Sequence, residues 1–326
     1  MIRPVSLGFL GAGMVARMAL APAARSLPAV RLAAVAARDL QRAEALGPER
    51  AYRSYQELLD DADVEAVYVA LANDAHLPWA LAALRAGKHV LCEKPLALDV
   101  AEVELMQAEA QAAGRLLVEA SWYQWHPRTA RARALLAAGA IGDVRHVEGG
   151  FSFAGVGAGN YRLDPSKGGG AAYDVGCYPV SAVLWSAPEV QVVAARARLG
   201  PTGVDLSTDL LLDLAGGATA GVHCSIDAPE RQWLRITGST GEIELAGSSF
   251  TSHHRSSELL FSDGHDTARE TFAACDPYAL MLASFCAAVR GEDAWLPPPA
   301  QSRACAAVLQ AARVSADSGG RPVALP

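Results

Sequence analysis

The residues best placed to do chemistry lie in VLCEKPLAL, residues 90–98, where an apolar run ends on Glu93, Lys94 and Pro95. A strand needs no adjacent charges at its tip, and lysine is almost never buried without a partner. The chain has three lysines (Lys88, Lys94 and Lys167) against twenty-five arginines. Arginine thus serves nearly everywhere a cation is wanted, and Lys94 points to work for a compact ammonium that can bond two oxygens and favour an ionised neighbour. Pro95 ends the strand and fixes the backbone behind it, a cis bond being one way to do so. A second such segment is GFLGAGMVA. Its Gly11, Gly13 and Ala16 match the spacing of a tight turn, a close approach to pyrophosphate and a helix–strand contact, and Met14 and Val15 fall within the same dinucleotide-binding loop. The helix it opens would offer free N–H groups and a positive dipole end to the phosphates.

These residues need elements to hold them. Apolar runs of strand length recur at VSLGFL, VRLAAVA, AVYVAL, HVLCE and RLLVEA, separated by Ala-rich helical stretches such as MVARMALAPAARSL and LPWALAALRAG. That alternation predicts a doubly wound parallel sheet, buried on both faces. Beyond about residue 121 the texture changes. A helix at PRTARARALLAAG precedes strands at VRHVEGGFSF, QVVAARARL, TDLLLDLA, TAGVHCSI and QWLRITGSTGEIEL, with helices near 277–290 and 301–316. The expected fold is α/β: an N-terminal Rossmann domain over 1–121, then a substrate-binding and oligomerisation α+β domain over 122–326 with a mainly antiparallel, open-faced sheet.

The chain has 326 residues, half of them hydrophobic, and a net charge of −7. It lacks a long charge-free apolar stretch and a basic leader, so the reading is a cytoplasmic protein with neither a membrane nor a nucleic-acid partner. Six cysteines without CxxC spacing read as reduced thiols, and His253–His254 as a solvated turn, with no metal expected. At the tip of the second strand, VAARDL offers Arg38 where NAD sites carry an acid. NADP is therefore preferred over NAD, while Asp39 has the look of a cap for the next helix.

The EKP at Glu93-Lys94-Pro95, the later GGGAAYDVGCY block (Gly168, Gly169, Gly170, Asp174, Gly176, Tyr178), and the stretches ALANDAHLPWALAALRAGKHV, AGAIGDV and SGGRPV together resemble the Gfo/Idh/MocA family of NAD(P)-dependent oxidoreductases along essentially the whole chain. The resemblance implies hydride exchange between a nicotinamide and a secondary alcohol or ketone, on a sugar or sugar-like substrate. It places Lys94 at the nicotinamide ribose and substrate hydroxyl. Tyr178 stands where many members carry His, like the branch with glucose–fructose oxidoreductase, dihydrodiol dehydrogenases and deoxysugar ketoreductases, and would move the proton. Asp174 would orient substrate or Tyr178, or else cap the next helix. Asn73, His76 and Glu93 would border the cofactor; Trp122, Gln124 and Arg162 would meet the substrate, with Gln124 standing where related sequences often have Arg. The resemblance further implies a homodimer or homotetramer. A nucleotide-deoxysugar ketoreductase, a dihydrodiol dehydrogenase, and a non-catalytic NAD(P)-binding regulator are the competing readings.

Overall fold

The structure, a computed structural model, describes residues 3–187 and 189–325. The chain begins with β1 (Val5–Leu10), α1 (Ala21–Ser26), β2 (Val30–Ala36), α2 (Leu40–Glu44), β3 (Arg50–Tyr52), α3 (Tyr55–Asp60), β4 (Ala66–Val69), α4 (His76–Arg85), β5 (His89–Cys92), α5 (Val100–Ala113) and β6 (Leu117–Glu119). The six strands pair in the order β3-β2-β1-β4-β5-β6, all parallel. This is the doubly wound dinucleotide-binding arrangement, in which ligands bind at the carboxyl ends of the strands. Every residue of β1 and of β4 is buried, which explains why their sequences are continuously apolar instead of alternating.

The second half supplies α6 (Pro127–Ala137), β7 (Val144–Ser152), α7 (Cys177–Ser186), β8 (Val190–Leu199), β9 (Asp205–Leu214), β10 (Thr219–Ser225), β11 (Arg231–Gly238), β12 (Glu242–Ala246), β13 (Ser257–Ser262) and β14 (Thr267–Phe272). They are followed by α8 (Pro277–Val289), α9 (Pro299–Asp317) and the short β15 (Val323–Ala324). Nine strands form one sheet, β14-β13-β12-β11-β7-β10-β9-β8-β15. Only β7 and β10 run parallel to each other; the other neighbours are antiparallel. In β9 the period of two is plain: Thr208, Leu210, Leu212 and Leu214 are buried while Asp209, Leu211 and Asp213 are exposed. The buried side packs on α7, with α6 beneath β12 and β13. The other side is open. Leu211 is 71% exposed there, beside a shallow groove of about 390 Å³ lined in part by Arg196, His223 and Trp233.

The chain divides into two compact units, one holding the residues up to Ala97, Ala101–Trp122 and Asp276–Pro299, the other Leu98–Val100, Tyr123–Cys275 and the residues from Ala300 onward. The helix α8 belongs to the first unit. Its Tyr278, Met281, Leu282 and Phe285 are buried, and it packs against α1 and β2. An all-apolar helix announces that it will be buried, but its sequence does not say against which sheet.

Candidate active site

The residues read as functional fall into two groups, one on each unit. In the first, β1 runs into Gly11, whose φ of +104° only glycine adopts readily; a Cβ there would also lie 2.4 Å from Ala70 O. Gly13 is different. A Cβ on it would meet nothing in the protein nearer than Ala70 O at 3.8 Å, so the fold itself does not require glycine there, and a bound pyrophosphate would. Ala16 is fully buried, Val15 half-buried, and Met14 is 62% exposed at the first helical turn. The helix opens with a π-helical turn over Ala16–Leu20, a feature frequent at functional sites.

Beyond β2, Arg38 is exposed and Asp39 caps α2, its carboxylate accepting the Gln41 N–H at 3.1 Å. Arg42, one turn further on, donates to Ala12 O of the glycine loop at 3.0 Å. The Tyr55 phenol is pushed up by burial and pulled the other way by the charges of Arg38 and Arg42, which places both guanidinium groups in one electrostatic neighbourhood. Two cations beside the loop, with an acid turned to capping, fit a 2′-phosphorylated dinucleotide.

At the carboxyl end of β5 the backbone passes through Glu93 and Lys94 into a cis Pro95. Glu93 is 8% exposed. The Tyr68 hydroxyl, on the neighbouring β4, donates to its Oε1, while its Oε2 accepts the Lys94 N–H at 3.2 Å. Burial first, then the Glu93 charge, hold the Tyr68 phenol well above its ordinary value, so it stays a donor. His76, fully buried, neither caps α4 nor presents a free ring: Nδ1 lies 2.9 Å from Pro95 O and Nε2 3.3 Å from Leu71 O. Burial lowers its pKa, and the uncharged ring, with one N–H, can donate to Pro95 O or to Leu71 O but not to both at once. Asn73, also buried, opens the short helical turn Asn73–Ala75 before it. The other lysines have plain structural work. Lys88 donates to Asp61 O and Val64 O at 2.8 Å each, and Lys167 pairs with Asp164 at 2.9 Å.

In the second unit, Asp174 lies in a π-helical turn (Ala172–Gly176) that runs directly into α7 and Tyr178. Its carboxylate receives Arg162 Nε at 2.6 Å, with the side chains only 5% and 18% exposed. Asp174 is thus the anion of an ion pair and not a helix cap. For Arg162 burial opposes the charge, but Asp174 outweighs it and the pKa is raised; Tyr161 and Tyr178 add smaller contributions of the same sign. The turn that carries Asp174 is anchored at its start by Asp205, whose Oδ2 accepts the Ala172 N–H at 2.8 Å and the Thr208 hydroxyl at 2.7 Å. Gly170 makes room for it, since a Cβ there would sit 1.9 Å from Asp205 Oδ1.

Trp122 and Gln124, expected to face a substrate, are 4% and 2% exposed. The Trp122 ring stacks on Tyr278 at 4.4 Å, an offset aromatic pair in the core of the first unit. Sequence reasoning overlooked Tyr68, Arg42 and Asp205. A lone hydroxyl in a strand buried on both faces must find a partner, so Tyr68 in AVYVAL carried a usable signal; Asp205 and Arg42 carried none before the fold was known.

Residues 5–121 match the oxidoreductase family with an NAD-binding Rossmann fold, and residues 129–244 the GFO/IDH/MocA C-terminal domain. A D-xylose 1-dehydrogenase (NADP(+)) of Haloferax volcanii is 36% identical over 288 residues, covering 86% of this chain and 88% of that one. The trans-1,2-dihydrobenzene-1,2-diol dehydrogenase of Mus musculus is 35% identical over 248 residues, 73% of each chain. Among solved structures, the 3-ketoreductase KijD10 of Actinomadura kijaniata, in complex with NADP and TDP-benzene, superposes with a TM-score of 0.89 at 29% identity, over 96% of this chain and 98% of that one.

Proposed function

This chain belongs to the Gfo/Idh/MocA family of NAD(P)-dependent oxidoreductases, and from that premise we propose that it is an NADP-preferring dehydrogenase or reductase of a secondary alcohol or ketone in a sugar or sugar-like substrate. The observation that carries the reading is the Lys94 turn: an ammonium at the carboxyl end of β5, on a backbone fixed by Glu93, itself held by Tyr68. The bound nicotinamide supplies or takes up the hydride. Lys94 holds the ribose and substrate hydroxyls and, as a cation, favours the ionised form of an oxygen beside it. Tyr178 exchanges the proton with the substrate oxygen. Arg162 fixes Asp174, which orients Tyr178 or the substrate. His76, Asn73 and Glu93 act by holding the turns on which Lys94 and the dinucleotide rest. Arg38 and Arg42 receive the 2′-phosphate.

A cytoplasmic location and a homodimer or homotetramer joined through the open sheet face complete the proposal; the exposed Leu211 beside Trp233 and His223 supports such a surface. No helix among the described residues is long and apolar enough to cross a membrane. A second reading, reduction of a nucleotide-linked keto-sugar, is supported by the near-complete coverage of the ketoreductase.

The test is spectrophotometric: NADPH or NADP with a panel of aldoses, keto-sugars and dihydrodiols. Turnover is expected with at least one, abolished by Lys94→Ala and by Tyr178→Phe, and Arg38→Ala should weaken NADPH far more than NADH. Full turnover in both Lys94→Ala and Tyr178→Phe would sink the mechanism. Dinucleotide binding without turnover across the panel would favour a regulator.

A further inference from the structure

Tyr178 is 7% exposed and its ring lies among three others: Phe151 at 5.5 Å, Tyr123 at 5.8 Å and Phe250 at 6.0 Å between centroids. Phe151 stands on β7, and Tyr123 is fixed through its hydroxyl, which meets Ser181 Oγ at 2.6 Å and accepts Trp185 Nε1–H at 3.0 Å. Phe250 is fully buried but lies on the irregular segment between β12 and β13, where no sheet ladder holds the backbone.

Two buried side chains hold that segment: Gln232 of β11, whose Oε1 accepts the Phe250 N–H at 2.9 Å, and Arg128. Arg128 is 1% exposed on α6, and its guanidinium donates to Ala246 O (2.8 Å) and Glu258 O (3.2 Å) through Nη1, and to Ser248 O (2.8 Å), Ser249 O (3.1 Å) and Ser252 Oγ (3.0 Å) through Nη2. All five acceptors are neutral. A buried cation is costly, and one neutralised by carbonyls instead of a carboxylate is an unusual way to stabilise a fold when an apolar side chain could fill the space. A planar fork of donors does, however, fix several backbone carbonyls at once, as lysine could not. Those carbonyls flank Phe250 on both sides.

The geometry points to Arg128 as a positioning residue for Tyr178, acting through Phe250: the guanidinium sets the loop, the loop sets the Phe250 ring, and that ring closes the aromatic wall that holds the phenol in one orientation. The inference rests on the reading that Tyr178 transfers the proton, and adds to it the device that aims the hydroxyl.

The experiment uses full-length protein with fluorotyrosine at all eight tyrosines, the Tyr178 resonance being the one missing from Tyr178→Phe. In Arg128→Met, where the Phe250 ring is retained, the Tyr178 resonance should broaden or split. Phe250→Leu, a volume-similar change that tests the wall if the Arg128 variant fails to fold, should broaden it too. Turnover on the sugar panel should fall about tenfold to a hundredfold in either variant, with NADPH affinity unchanged. A sharp single Tyr178 resonance and wild-type turnover in both variants would overturn the inference, and so would a lowered Tm with that resonance unmoved. Tyr178→Phe with undiminished turnover would instead remove the functional reading beneath it, so the two failures are told apart.

Discussion

Around Lys94 the support comes from the next strand of one sheet. Tyr68 on β4 reaches Glu93 just past β5, and His76, at the start of the helix after β4, reaches Pro95. Around Tyr178 it comes from remote parts of the chain: Asp205 at the start of β9, Phe250 after β12, and Arg128 on α6 binding a loop more than a hundred residues away. A parallel sheet delivers all its strand ends to one edge, so a short motif placed there finds neighbours already in position. A helix laid across a mainly antiparallel sheet has no such edge, and its contacts must be recruited one by one. The first site should therefore fail by local chemistry and the second by loss of long-range order.

The largest expected effect tests the first half of that contrast. Lys94→Arg should lower kcat/KM about a thousandfold while leaving Tm near the wild-type value. A variant within tenfold of wild type would show that only the charge matters. In the second site, Asp174→Ala leaves Arg162 buried without its anion, and urea unfolding should show a loss of about 3 kcal/mol; Arg162→Met in the same background should restore much of it. If Asp174→Ala unfolds at the wild-type midpoint, the pair does not order this region.

Within the glycine loop the comparison can be made finer. Gly11→Ala should cost about 2 kcal/mol of stability, from the positive φ and the clash with Ala70 O. Gly13→Ala should leave Tm unchanged and weaken dinucleotide binding alone. Equal losses of stability in both would refute the view that a ligand, not the fold, requires the second glycine.

The smallest effect per pH unit belongs to His126. Its Nδ1 caps α6 by accepting the Arg128 N–H at 3.0 Å, and burial, with the Arg128 charge adding, depresses its pKa to about 4. The folded state thus binds the proton more weakly than the unfolded chain, whose value is about 6.5. The stabilisation is complete above that value and should fall by about 1.4 kcal/mol per unit as pH drops toward 4. Urea midpoints measured between pH 7 and 4.5 test this, and His126→Asn, which keeps a capping acceptor, should flatten the slope. An equally steep slope in that variant would place the titration elsewhere.

The same contrast explains how much could be read from residues alone. The glycine loop, the strands and the EKP tip announce themselves, because each motif is contiguous and its physical reason is local. Arg38 and Asp39 were legible as competitors at the tip of β2, and the structure shows Asp39 capping α2. The surroundings of Trp122 were less legible: its place just past a strand at the functional edge suggests a pocket lining, and nothing local reveals that Tyr278, from a helix far down the chain, stacks on its ring. Asp174 was recognisable as a special acid but not as the partner of Arg162, since the eleven residues between them form loop and short turns without a fixed period. The placement of α8 was illegible for a similar reason.

The nine-stranded sheet also has two free edges, and edges invite uncontrolled strand addition and fibre growth. At one end β15 is only two residues long, too short to serve as a template. At the other, β14 carries Glu270, gripped by Arg131 through Nε and Nη2 at 2.7–3.0 Å, and Arg269, paired with Glu258 at 2.8 Å. Any incoming strand would have to displace solvated, paired charges along the ladder. At the β14 end, paired charges thus guard a broad, partly apolar sheet surface against extension by a further strand.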